Sequence, residues 1–182
     1  MTTQPSDMTR LPLLADRAGL SESQQAVFDW IVESRGTMIR PYEVLLHLPK
    51  MARPAAELGH QIRYEGALSD HDRELAIITT AVAHACGFEW DTHVGLARAA
   101  GVAEATITAV RDGEGTVEPP GDAVVGFVRE TCAASRVSDA TYSAARDRLG
   151  ASGVVELTTL VGYYTLLAFV INLAEPEDPA VP

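Results

Sequence analysis

The amino-acid sequence predicts an all-α protein folded as a single-domain helical bundle. Signals for helix starts and ends recur along the chain, whereas strand-like alternation and hairpin turns do not occur. A length of 182 residues with 47% hydrophobic content suffices for one domain with a sizeable core. We place this domain at 11–174 and expect disordered tails at 1–10 and 175–182, which have no apolar periodicity.

The first helices are predicted from local start and stop signals. Ser21 and Gln24 have the spacing of a capping box, and the helix they begin ends at Gly36. Pro41 is suited to the first turn of a short helix, "PYEVLLHL", because proline lacks the N–H that this turn leaves unpaired. A third helix is expected at about 51–64.

Further helices follow from Ser69 onward. Ser69 and Asp70 are candidate N-caps for "DHDRELAIITTAVAHAC", whose acidic first turn suits the helix dipole and which ends at Gly87. The next helix is expected to end before Gly101. After it come "AEATITAVRD", a loop, "AVVGFVRETCAASR", "SDATYSAARDRLG" and a long apolar helix from Ser152.

Charge and cysteine content exclude several classes of protein. The chain carries 25 acidic and 14 basic residues, a net charge of −11, and no Lys/Arg cluster. Such a surface repels phosphate backbones, so no nucleic-acid partner is expected. Cys86 and Cys132 form neither a disulfide framework nor a zinc pattern. The N-terminal segment lacks the apolar stretch of a signal peptide, which predicts a cytoplasmic protein.

The most apolar segment, 154–173, carries one charge, that of Glu156. Its length would allow a membrane span. Its acidic flank and its Thr, Asn and Tyr residues instead favour a helix buried in the protein or facing another subunit, so no membrane partner is expected. Because nearly every face of this helix is apolar, we predict a homo-oligomer.

The segment "CGFEWDTH" at 86–93 concentrates reactive side chains. Glu89 and His93 are four residues apart and share a helix face, and Cys86 lies one turn earlier. A carboxylate near a helix N-terminus is favoured as the anion, and an imidazole exchanges protons near neutral pH. The alternative to a functional site is an ordinary Glu–His pair on a solvent-exposed helix face. The small apolar residues on both sides of the segment favour a packed helix.

The stretch "RELAIITTAVAHACGFEWDTHVGLARAAGV" resembles the core of the carboxymuconolactone decarboxylase-like superfamily, which includes alkyl hydroperoxidase D. A looser likeness covers 36–174. In the hydroperoxidase branch, a Glu is followed by a CxxC pair and a His. Glu74, Cys86 and His93 match, but Glu89 replaces the second, peroxide-attacking cysteine, and the histidine between the cysteines is a phenylalanine here. The resemblance implies the alkyl hydroperoxidase D-like helical bundle and a trimer or a multiple of it.

The loss of the second cysteine shifts the predicted chemistry from redox to acid–base. The resemblance brings Glu74, Glu89 and His93 into one pocket, where neighbouring carboxylates differ in pKa and one can donate while the other accepts a proton. We expect cofactor-independent decarboxylation, or a related lyase or isomerase step, on a small organic acid or lactone. His93 is the expected general acid/base, Glu89 its partner and Glu74 the anchor. Alternatively, Glu74 only caps its own helix. His93→Ala is expected to abolish turnover with little loss of stability.

Two other functions stay open at this point. Cys86 could support a peroxiredoxin-type alkyl hydroperoxidase or a thiol-dependent antioxidant activity. The chain could also be a non-catalytic oligomeric scaffold that keeps the fold without the chemistry.

The remaining candidates concern the substrate and metals. Arg40 and Arg63 could each bind a substrate carboxylate through two N–H groups, although each is also a plausible ion-pair residue. Trp90 is a candidate substrate contact, although a tryptophan at this position is also typical of a protein core. A Glu-x-x-x-His pair needs further ligands to hold a metal, and His84 is the one histidine nearby. We therefore expect no metal and no organic cofactor.

Overall fold

A computed structural model describes residues 9–113 and 117–175. The chain is 74% helical, with eight helices and no strand in the described part. This confirms the predicted all-α class.

The chain divides into two compact units, described here separately. The first contains 9–64 and 169–175 of the described residues, and the second contains 65–168. The single domain at 11–174 stays a prediction. The predicted tails lie almost wholly outside the described residues, apart from their inner ends. In the first unit, the Arg10 N–H donates to the Ala174 carbonyl at 2.6 Å.

The first unit is built from three helices around a small apolar core. They are α1 (Glu22–Arg35), α2 (Arg40–Leu45) and α3 (Pro49–His60), and a π-helical turn, Gln61–Glu65, follows α3. The predicted caps are present: the Ser21 N–H donates to Gln24 Oε1 at 2.9 Å, and Gly36 is left-handed with φ 82°. The core cluster comprises Val27, Ile31, Tyr42, Leu46, Ala52 and Ala56.

The second unit is organised around one central helix. Its helices are α4 (Asp70–Ala83), α5 (Gly87–Ala99), α6 (Glu104–Arg111) and α7 (Asp122–Ala134), with α4 packed against the other three. Ser69 Oγ accepts the Asp72 N–H at 3.1 Å and so caps α4 as predicted. Because α4 contacts helices on several sides, most of its residues are buried, including the polar Glu74 and Thr80.

The last element, α8, runs from Asp139 to Ala174 and is broken at Gly150. Gly150 has φ 71° and ψ 177°, a backbone conformation that glycine adopts at little cost. The two helices predicted from the sequence are therefore both present, and the non-helical Gly150 separates them within α8. By length and hydropathy, α8 is the one helix in the described part that could cross a membrane, yet half of its most apolar window is buried within the protein.

Candidate active site

The candidate site is a row of three buried titratable side chains on α4 and α5. His93 Nδ1 lies 2.7 Å from Glu74 Oε2, and His93 Nε2 lies 3.4 Å from Glu89 Oε2. Relative exposures are 5% for His93 and 3% for each glutamate. The imidazole is thus held between two carboxylates and shielded from water.

The turn between α4 and α5 produces this arrangement. Ala85 adopts a left-handed conformation with φ 47°, and the Cys86 N–H donates to the Ala81 carbonyl at 2.9 Å. The chain thereby reverses, and α5 packs against α4. Glu89 and His93, one helical turn apart, both fall on the buried face of α5.

Opposing effects determine the protonation of His93. Burial lowers the pKa of the imidazole, but the hydrogen bonds that its N–H groups donate to Glu74 and Glu89, and the negative charges of these carboxylates, together raise the pKa above its ordinary value. The cluster therefore favours an imidazolium between two carboxylates near neutral pH.

Glu89 has an unused acceptor. Its Oε1 atom is buried and has no hydrogen-bond partner among the described residues. A buried carboxylate oxygen without a partner costs free energy, because water has been removed and nothing replaces it. A molecule that donates a hydrogen bond to Oε1 would relieve this cost.

Two further side chains extend the cluster, and the sequence analysis did not assign either to the site. Arg73 Nε lies 3.5 Å from Glu74 Oε1, and the edge of the Tyr164 ring meets His93 with centroids 5.4 Å apart. Arg73 adjoins Glu74 in sequence, which is a weak signal for such a contact. Tyr164 comes from α8, and no local pattern connects it to His93.

The other predicted site residues are distributed over both units. Cys86 is 2% exposed at the N-cap of α5, and the backbone N–H of the half-buried Trp90 donates to the Cys86 carbonyl at 3.1 Å. Arg40 and Arg63 belong to the first unit, where Arg40 pairs with Glu175 at 2.7 Å. Their contacts with a substrate stay predictions.

Among the residues that the structure describes, no group of three His, Cys, Asp or Glu side chains is arranged to hold a metal ion. His84, the nearby candidate ligand, instead lies with Nε2 2.9 Å from Thr165 Oγ1, and burial lowers the pKa of its imidazole.

The fold and site define an all-α protein with a buried carboxylate–imidazole–carboxylate cluster, an arrangement suited to proton transfer. Residues 49–116, which include all three members of the cluster, match the model of the carboxymuconolactone decarboxylase family. This match confirms the resemblance to the carboxymuconolactone decarboxylase-like superfamily that was recognised in the sequence. A comparison with curated proteins found no match.

Proposed function

We propose that this protein is an enzyme that performs cofactor-independent acid–base chemistry on a small organic acid or lactone. The reaction would be a decarboxylation or a related lyase or isomerase step. One observation carries the proposal: His93 bridges two buried carboxylates, one of which keeps an unused acceptor at Glu89 Oε1.

The contacts favour Glu89 as the group that exchanges the proton with the substrate. Both ring nitrogens of His93 already face carboxylates, Glu74 on one side and Glu89 on the other. Glu89 Oε1 is the acceptor that remains for a substrate atom. His93, expected from sequence to act directly, would then pass protons to and from Glu89, with Glu74 supporting the imidazolium.

A decarboxylation at this site would use one proton from Glu89 for each carbon dioxide released. The bond between the substrate carboxylate and its carbon breaks, carbon dioxide leaves, and the electron pair passes to a conjugated substrate carbonyl. Glu89, protonated through His93, then donates that proton to the carbon. One solvent proton restores the cluster. In an isomerisation, Glu89 would remove a proton from one carbon and return it to another.

The charge of the cluster is compatible with an anionic substrate. An imidazolium and two carboxylates carry one net negative charge, which by itself would repel a carboxylate. Arg73, with Nε 3.5 Å from Glu74 Oε1, adds a positive charge beside the cluster. Its Nη2 also pairs with the exposed Asp70 at 2.7 Å, so Arg73 offsets the repulsion only in part. Arg73 is mostly buried, so water screens its charge only weakly.

Thiol chemistry has less support from the contacts. Cys86 and Cys132, both in the described part, form no disulfide with each other. Glu89 stands where the hydroperoxidase motif has its second cysteine, one turn after Cys86. A thiol that resolves a sulfenic acid on Cys86 would therefore have to come from another position.

Removing both cysteines separates acid–base chemistry from redox chemistry. We expect the protein to release carbon dioxide from carboxymuconolactone or from acetoacetate, and we expect the Cys86→Ala/Cys132→Ala variant to retain that rate within about threefold, since no thiol takes part. Carbon dioxide release is measured directly, with circular dichroism to check folding. Loss of this activity in a folded double variant, together with thiol-dependent peroxide consumption by the wild type, would favour the peroxidase alternative. Absence of both activities would favour the scaffold alternative.

We also propose that the chain forms a homo-oligomer, a trimer or a multiple of it. Within the second unit, Val155 and Leu166 on α8 are 66% and 42% exposed, and Gly162 between them is exposed as well. These positions are seven and four residues apart, so they share one helix face. An exposed apolar face of this kind is typical of a subunit contact.

Light scattering tests this assembly at micromolar concentration. We expect a mass well above the 19.5 kDa of one chain for the wild type, and a lower mass for Val155→Glu/Leu166→Glu, because buried glutamates would lack partners at the interface. Leu96→Glu, at an equally exposed position of α5, is the matched control and keeps the wild-type mass. A monomeric wild type would contradict the assembly proposal.

A further inference from the structure

A cavity of about 380 Å³ lies between α4, α6 and α7 in the second unit. Its walls are largely apolar and include Val82 and Val110, and three polar side chains join them: Thr79, Arg129 and Cys132. None of Glu74, Glu89 and His93 lines it. Its volume is within the range of small-molecule pockets, roughly 300–1,000 Å³.

Arg129 gives this cavity a charge opposite to that of the whole chain. It is the one charged side chain among the described residues that line the cavity, whereas the chain has a net charge of −11. Its Nη2 donates to the Ala109 carbonyl at 2.9 Å, which helps to orient the guanidinium. A positive group at an apolar wall favours an anion that also has an apolar body.

Cys132 places a thiol on the same face of α7 as Arg129, three residues along the helix. Burial raises the pKa of this thiol, so it stays protonated near neutral pH. Cys132 is therefore a neutral wall of the cavity, and its reaction with an alkylating reagent can report on occupancy.

We propose that this cavity binds a small monocarboxylate with an aliphatic or aromatic body, separately from the candidate active site. The carboxylate contacts the Arg129 guanidinium, and the body packs against Val82 and Val110. The site does not depend on the proposed chemistry of Glu89 and His93.

Benzoate and benzamide form a matched pair of probes, because they share shape and differ in charge. Iodoacetamide alkylation of Cys132 is followed by mass spectrometry with and without each probe, and calorimetry measures binding directly. We expect benzoate to slow alkylation and benzamide to do so much less. Arg129→Gln should weaken benzoate binding about 10- to 100-fold, because a charge-assisted hydrogen bond is lost.

Two substitutions serve as controls. Arg111→Gln removes an exposed guanidinium from α6 and should leave benzoate binding unchanged. Arg129→Lys keeps the positive charge but loses the paired N–H donors of the guanidinium, so it should bind benzoate with intermediate affinity. Equal binding of benzoate and benzamide, or unchanged benzoate binding in Arg129→Gln, would overturn the assignment to carboxylates. Absence of benzoate binding by calorimetry to the wild type would overturn the site itself.

Discussion

Replacing His93 by alanine is expected to destabilise the folded chain by about 3–5 kcal/mol near pH 6, the range for removing one partner of a buried charge cluster. The variant leaves Glu74 and Glu89 buried, without the imidazolium between them. Urea unfolding followed by circular dichroism measures the loss. This differs from the expectation based on sequence alone, which foresaw little change in stability, because sequence did not reveal that His93 is flanked by carboxylates on both sides.

The same loss should depend on pH in a defined direction. The pKa of His93 is raised in the folded chain above its ordinary value of 6.5, so protonation stabilises the fold fully below that value. This contribution is lost as the pH rises through the folded-state pKa, so the difference in unfolding free energy between wild type and His93→Ala should narrow as the pH rises above 6.5.

His47 provides the matched control for this experiment. It is an exposed histidine whose Nε2 lies 2.8 Å from the Pro12 carbonyl, and His47→Ala should change stability little at any of these pH values. A loss below about 1 kcal/mol in His93→Ala, or a gap that widens with pH, would contradict an imidazolium held between the two carboxylates.

Replacing Glu89 by glutamine is expected to lower the turnover rate about 10²- to 10⁴-fold, the usual contribution of a positioned acid or base. The amide keeps the size of the side chain and can accept a hydrogen bond, but it cannot exchange a proton. The rate of carbon dioxide release is measured for the variant and the wild type under the same conditions. Circular dichroism should show the variant folded.

Glu104→Gln is the control for a non-specific effect of charge, since Glu104 is an exposed glutamate on α6 that pairs with Arg98 at 2.8 Å. It should turn over at the wild-type rate. Full activity in a folded Glu89→Gln variant would exclude Glu89 as the proton-exchanging group. If activity were lost only in His93 variants, the direct role would return to His93, as the sequence analysis expected.

The helices were predictable because their signals are local. Ser21 with Gln24 and Ser69 with Asp72 act within one helical turn, and the structure contains both contacts. Gly150 marked a helix end in the sequence, and it is the kink in α8, because its positive φ of 71° is a backbone angle that glycine adopts at little cost. Other helix ends differ from the prediction by up to four residues: α3 ends at His60 and not near 64, and α4 ends at Ala83 and not at Cys86, because a helix end without a strong cap is not fixed by local sequence.

By itself, the sequence determined the all-α class and the shared face of Glu89 and His93, since residues four apart on a helix are neighbours whatever surrounds them. Only the tertiary structure decided the rest of the site. Glu74 reaches His93 across 19 residues because the turn at Ala85 folds α5 onto α4, and Tyr164 arrives from α8. The unpaired oxygen of Glu89 likewise results from packing between helices, because the removal of water depends on every neighbour and not on the spacing within one helix.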